Sequence, residues 1–294
     1  VNAPPAAFER VAFVGFGEAG GVLGAALAAR GVSVSMYDLR LDALREKARA
    51  AQVRAASTLE DAIDGVELVV SAVTAQSDMD VAHALAERLA PGQIVLDINS
   101  VSPQTKQHAQ SCIEAGGAHY VEAAVMAPVP PYGLTVPMLL GGAQAREVST
   151  RLNASGWRTE AVAERVGVAS AAKMCRSVMI KGIEALTVEC LRAARRYDAE
   201  AVVLASLSET LSRMQRDADL AGYLVSRVAE HGRRRAGEMR EVAQTLRDAG
   251  VEPFMSEACA RLQDGFVEAM QARDIAYDDL DAPFDWRALF DRLL

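Results

Sequence analysis

Gly15, Gly17 and Gly20, in the run Phe13-Val14-Gly15-Phe16-Gly17-Glu18-Ala19-Gly20, end an apolar strand and open a helix. Such a corner holds a pyrophosphate: the first glycine permits the tight turn, the second lets the backbone approach the phosphates, and the third brings helix and strand close. The helix N-terminus adds free N–H groups and the positive end of a dipole. Phe16, Glu18 and Ala19 share the turn and join the glycines as cofactor-binding positions. A second strand, Val32 to Tyr37, ends at Asp38, where a carboxylate would accept hydrogen bonds from the adenosine ribose. A carboxylate there repels a 2′-phosphate, so NAD is expected, with NADP the alternative because Arg40 lies two residues on.

The elements that must position this loop are legible around it. Arg10 to Val14 reads as a buried parallel strand, and Val22, Leu23, Ala26 and Leu27 recur at helical spacing before Gly31. Leu41 to Ala51 and Met79 to Leu89 read as helices, and Glu67 to Val73 and Gln93 to Ile98 as strands. Helix, strand and turn continue through Pro103 to Ala115, His119 to Val125 and Val136 to Leu140. Near Val166 the pattern turns helical throughout. The fold class expected is α/β: a doubly wound parallel Rossmann sheet over residues 1–164, then a long connecting helix and an all-α region, 165–294, for substrate binding and dimerisation. Ligands of such sheets bind beyond the carboxyl ends of the strands. Val73, Thr74, Asn99, Ser100 and the segment Glu122 to Pro128 therefore gather near one rim with the glycine loop.

Composition narrows the classes. The 294 residues are 51% hydrophobic and 24% charged, ordinary values for a globular protein. With 39 acidic against 31 basic residues the net charge is −8, which argues against general affinity for nucleic acid or anionic membranes. Cys112, Cys175, Cys190 and Cys259 form no C-x-x-C pair, and His83, His108, His119 and His231 have no metal-ligand spacing, so no metal is expected. No apolar run reaches the roughly 18 residues of a membrane span. The start Val1-Asn2-Ala3-Pro4-Pro5 lacks a charged segment followed by an apolar one. A cytoplasmic protein is expected, a homodimer or higher homo-oligomer through its apolar C-terminal helices. The cluster His231-Gly232-Arg233-Arg234-Arg235 reads as a solvated helix face, with anion binding as its alternative.

Four segments in this order resemble the β-hydroxyacid dehydrogenase family, relatives of 3-hydroxyisobutyrate and 6-phosphogluconate dehydrogenases. They are the glycine fingerprint, Asp97-Ile98-Asn99-Ser100-Val101-Ser102-Pro103, Val121-Glu122-Ala123-Ala124-Val125-Met126-Ala127-Pro128, and Gly167-Val168-Ala169-Ser170-Ala171-Ala172-Lys173. The resemblance covers roughly residues 8 to 190 and implies a divergent branch with a phosphogluconate-dehydrogenase-like helical C-terminal domain. It departs from the family pattern at Met126, Ala127 and Pro128, which replace a backbone-donating S-G-G, and at Ser177, which replaces an asparagine four residues after the lysine.

The resemblance implies that Lys173 is the catalytic acid/base and that Asn99, Ser100, Glu122, Met126, Ala127 and Ser177 surround the substrate; the alternatives are that Glu122 anchors its loop and that Asn99 and Ser100 form the turn before Pro103. Transfer of a hydride from a hydroxyl-bearing carbon needs a group that takes the hydroxyl proton and returns it in reverse. A lysine amine at about 10.4 suits the acid, and burial or a neighbouring cation such as Arg176 would bring it within reach of the base role. On a helix, Ser177 shares the face of Lys173 about 6 Å along the axis, whereas Glu184 lies about 16 Å away. The expectation is an NAD(P)-dependent oxidoreductase acting on a small β-hydroxyacid or related alcohol or carbonyl. Its rivals are an imine reductase on the same scaffold and a non-catalytic dinucleotide sensor.

Overall fold

The computed structural model describes residues 6–294; the start Val1 to Pro5 lies outside the described residues. Eight strands form one sheet: β1 (Arg10–Val14), β2 (Ser33–Tyr37), β3 (Arg54–Ala55), β4 (Leu68–Ser71), β5 (Ile94–Asp97), β6 (His119–Val125), β7 (Pro137–Gly141) and β8 (Arg158–Ala163). Their order is β3-β2-β1-β4-β5-β6-β7-β8, parallel throughout except where β7 returns antiparallel to β6. The order reverses at β1, with β2 on one side and β4 on the other, which opens a crevice above the carboxyl ends of β1 and β4.

The first-half helices are α1 (Glu18–Ala28), α2 (Leu41–Ala50), α3 (Leu59–Ile63), α4 (Asp78–Ala86), α5 (Pro103–Glu114), α6 (Val129–Tyr132) and α7 (Ala145–Ala154). Strand residues alternate between two buried faces, as a covered sheet requires. Phe13, Met36, Leu96 and Val121 enter one core with Leu23 and Leu27 of α1, while Ala12, Val69, Val95 and Tyr120 enter the other with Leu85 of α4 and Ile113 of α5. α5 begins where the sequence signals a start: the Ser102 hydroxyl accepts from the Thr105 amide at 3.1 Å, and Pro103 occupies the first turn. β3 and β8, which the sequence does not signal, extend the two edges.

From residue 168 the chain is helical: α8 (Val168–Arg196), α9 (Glu200–Met214), α10 (Leu220–Asp248), α11 (Phe254–Gln271) and α12 (Trp286–Leu293). A Rossmann sheet followed by an all-α region is thus the architecture. Two compact units divide at Val178/Met179, inside α8. Within the second unit, buried Glu189 accepts from the Met255 and Ser256 amides at 2.7 and 2.9 Å and so caps α11. Arg233 pairs with Asp264 and Glu268 of α11, and Arg234 with Glu238 one turn on, so these members of the basic cluster are spent on ion pairs. Among the described residues, no helix is long and apolar enough to cross a membrane.

Candidate active site

The glycine loop has the stereochemistry its sequence implies. Gly15 has φ +90°, a conformation L side chains rarely adopt, and its amide donates to the Tyr37 carbonyl at 2.9 Å. A Cβ at Gly20 would stand 2.1 Å from the Gly15 carbonyl oxygen, so only glycine lets α1 start against the loop. Gly17 differs: a Cβ there would meet nothing nearer than Arg40 Nη2 at 3.8 Å. The space before Gly17 is an open cradle at a helix N-terminus, the feature a pyrophosphate needs. It belongs to a cleft of about 1020 Å³ whose lining includes Gly15, Glu18, Ala19, Asp38, Val73 and Thr74.

Asp38 stands at the end of β2 with its side chain only 11% exposed. Its Oδ2 accepts from the Phe16 amide at 2.8 Å and its Oδ1 from the Arg40 amide at 2.8 Å. The carboxylate therefore fixes the glycine loop as well as lining the cleft. Lys47 of α2, which carried no sequence signal, donates to the Gly17 carbonyl at 2.7 Å and braces the loop from the other side.

A second cleft, about 320 Å³, is lined by Val73, Asn99, Ser100, Val125, Ala127 and Lys173, among others. Lys173, in the second turn of α8, is half-buried, and its Nζ donates to Ser100 Oγ at 2.5 Å. The two ends of this contact come from residues far apart in sequence, and each end has its own support.

At one end is Glu122 of β6, fully buried. Its Oε1 accepts from the Gly167 and Ala169 amides at 2.7 and 3.0 Å, and its Oε2 from the Ser170 amide at 3.2 Å. A carboxylate on the free N–H groups of a helix start is favoured by hydrogen bonding and by the dipole together. Both oxygens being occupied in this way, Glu122 positions α8, and it does not line the second cleft, where the resemblance set it. At the other end is Asn99, 5% exposed, whose Oδ1 accepts from the Val73 amide at 2.7 Å. Its Nδ2 donates to Ser71 Oγ at 2.9 Å and to Asp78 Oδ1 at 2.6 Å. Asn99 thereby latches the end of β5 to the turn after β4.

The remaining expected positions divide. Ala127 lines the second cleft; Met126 continues the sheet, its amide donating to the Pro137 carbonyl at 2.9 Å. The Ser177 hydroxyl donates back to the Lys173 carbonyl at 2.9 Å, a bond within its own helix. Sequence reasoning missed the buried charges beneath the rim. Lys106, 1% exposed, sits 2.8 Å from Asp97 Oδ1, and the Tyr120 hydroxyl donates to Asp97 Oδ2 at 2.6 Å. Burial, then the Asp97 charge, pushes the Tyr120 hydroxyl well above its usual range. Asp97 belongs to one of the four resembling segments, but nothing in the spacing shows that α5 would bury a lysine against it.

Residues 10–129 match the NAD binding domain of 6-phosphogluconate dehydrogenase, and residues 194–265 match a domain of unknown function, DUF1932. A conserved hypothetical protein from Sinorhizobium meliloti is 37% identical, covering 97% of this chain and 95% of its own, with a TM-score of 0.62. A conserved protein of unknown function, described as structurally similar to 3-hydroxyacid dehydrogenases, is 33% identical over 89% of this chain and 98% of its own, with a TM-score of 0.61. An imine reductase from Streptomyces aurantiacus shares the fold, with a TM-score of 0.73 at 18% identity, covering 92% of this chain and 97% of its own. The first unit carries an NAD(P) site, and the chain belongs to the 3-hydroxyisobutyrate/6-phosphogluconate dehydrogenase-like family of NAD(P) oxidoreductases.

Proposed function

We propose that this chain transfers a hydride between NAD and a small β-hydroxyacid or a related alcohol or carbonyl, with Lys173 as general acid/base. The observation that carries the reading is the 2.5 Å contact of Lys173 Nζ with Ser100 Oγ at the wall of the second cleft. The residues that would hold the cofactor are Gly15, Gly17, Glu18 and Ala19 at the pyrophosphate, with Phe16 and Gly20 shaping the turn beneath them, Asp38 at the ribose, and Val73 and Thr74 towards the nicotinamide. When bound, the nicotinamide supplies hydride transfer. In the reducing direction the Lys173 ammonium gives a proton to the substrate oxygen; in the oxidising direction the neutral amine takes the hydroxyl proton. Ser100 accepts from the amine and keeps it aimed at the cleft. Asp38 favours NAD over NADP by charge.

Imine reduction is the second reading, and the loop 126–128 favours it. Met126 spends its amide on β7, and Pro128 has none, so this loop offers few donors to a substrate carboxylate. The solved imine reductase shows that this fold accommodates such chemistry elsewhere. A non-catalytic sensor is the third reading. The second unit supplies a homodimer surface: α9 has no buried residue, and Leu204, Leu207 and Leu211 share one exposed stripe on it. Turnover of NAD(H) and NADP(H) with hydroxyacids, aldehydes and imines separates the readings. Oxidation of a hydroxyacid is the expected result; activity on imines alone selects the second, and cofactor binding without turnover selects the third.

A further inference from the structure

Below the rim of the cleft, the ends of β4 and β5 enclose more negative charge than they neutralise. Lys106 is taken by Asp97, whose Oδ1 it approaches at 2.8 Å and whose carbonyl it also reaches, at 3.0 Å. The other oxygen of Asp97 accepts from Tyr120. Asp78, at the start of α4 and 2% exposed, has the Asn99 amide on Oδ1, while its Oδ2 is buried with no donor among the described residues. A void of about 10 Å³, lined by Ser71, Asp78, Asp97 and Tyr120 together with aliphatic side chains, separates these groups. An ionised carboxylate with an orphaned buried oxygen is costly, and a proton on that oxygen turns it into a donor.

We propose that Asp78 is a positioning residue for the reaction: through Asn99 it sets the Val73 amide and the neighbouring Ser100, and its hold changes as its carboxyl gains or loses one buried proton. The inference rests on the reading of Lys173 for the route from Ser100 to the chemistry. Burial, and then the charge of Asp97, pushes the Asp78 carboxyl up to about 6. The groups facing it are Ser71 of β4, Asp97 of β5, Asn99 beyond it, Lys106 of α5 and Tyr120 of β6, with Glu122 further along β6. Lys106 opposes the rise without cancelling it. Above about 6 the Asn99 amide donates to a charged acceptor and is gripped more firmly, since charge-assisted hydrogen bonds are the stronger kind. Below it the grip slackens.

Because the folded pKa lies above the unfolded value of 3.8, the folded chain binds more protons between about 4 and 6. This group's contribution to stability is complete below that window and is lost as pH rises through it. Asp78→Asn keeps an oxygen for Asn99 and removes the ionisation. The experiment compares wild type, Asp78→Asn and Lys173→Met by thermal unfolding of the cofactor-free proteins from pH 4.5 to 7.5, and by kcat over the range that each tolerates.

Relative to wild type, Asp78→Asn is expected to gain about 3–6 °C in Tm between the two ends of the range. Wild-type kcat is expected to rise about three- to tenfold across pH 6, and the variant to stay at the low-pH level. An infrared band of a protonated carboxyl titrating near pH 6 in wild type detects the same proton directly, should the variant not fold. A Tm difference independent of pH, a kcat step unchanged in Asp78→Asn, or no such band in wild type would overturn the proposal. Full activity in Lys173→Met would instead remove the catalytic reading, leaving the unfolding and infrared arms to decide on Asp78.

Discussion

Lys173 and Ser100 meet across 73 positions of sequence, and each is held by a residue that the sequence pattern assigns to substrate. Glu122 and Asn99 stand out by their place in the resembling segments, which is as far as linear order reaches. Their direction is not legible there. Nothing in β6 signals that the chain from Gly167, 45 residues later, would deliver the amides of a helix start to Glu122, and nothing near Asn99 announces Asp78 behind it. Glu122→Ala leaves those three amides buried without acceptors, and the expected cost is about 3 kcal/mol of stability. Chemical denaturation measures it, and an unchanged midpoint and slope would show that α8 is anchored otherwise. At the adenosine end, Asp38→Ser should raise activity with NADP relative to NAD by about tenfold, as expected from removing a repelling charge. Kinetics with both cofactors check it, and an unaltered ratio would move the ribose contact away from Asp38.

Among the elements, the glycine turn is the most legible, because its three glycines answer three separate backbone demands. Gly20 answers a clash and Gly17 an opening, so their alanine variants should fail differently. Gly20→Ala places a methyl 2.1 Å from a backbone oxygen and should lower Tm markedly, whereas Gly17→Ala has room and should fold with near-normal Tm. Gly17→Ala should nonetheless bind NADH at least tenfold more weakly, since its methyl enters the cradle; fluorescence titration beside thermal unfolding distinguishes the two. β3 and β8 escape sequence reasoning for physical reasons. β3 is two residues long, and β8, Arg-Thr-Glu-Ala-Val-Ala, lies at an edge where half its side chains are exposed and no apolar run forms.

At the scale of the whole molecule, a sheet buried on both faces is joined to helices that leave much apolar surface uncovered. Leu204, Leu207 and Leu211 are 50%, 41% and 59% exposed on one stripe of α9. Such a stripe suits a second copy of the chain. Light scattering should therefore give a dimer or larger oligomer for wild type, and Leu207→Glu with Leu211→Glu should shift the mass towards the monomer. A wild-type mass equal to one chain would contradict the dimer. The alternation of strand and helix makes the first unit readable, whereas the uniformly helical second half gives no cue to substrate. In the proposed reaction, what the chain does to a substrate turns on one amine. The most direct measurement is kcat of Lys173→Met beside its affinity for NADH, using the best substrate of the panel. A fall in kcat of about 10²-fold or more with unchanged NADH affinity is the predicted result; a variant that turns over like wild type would contradict the assignment of Lys173.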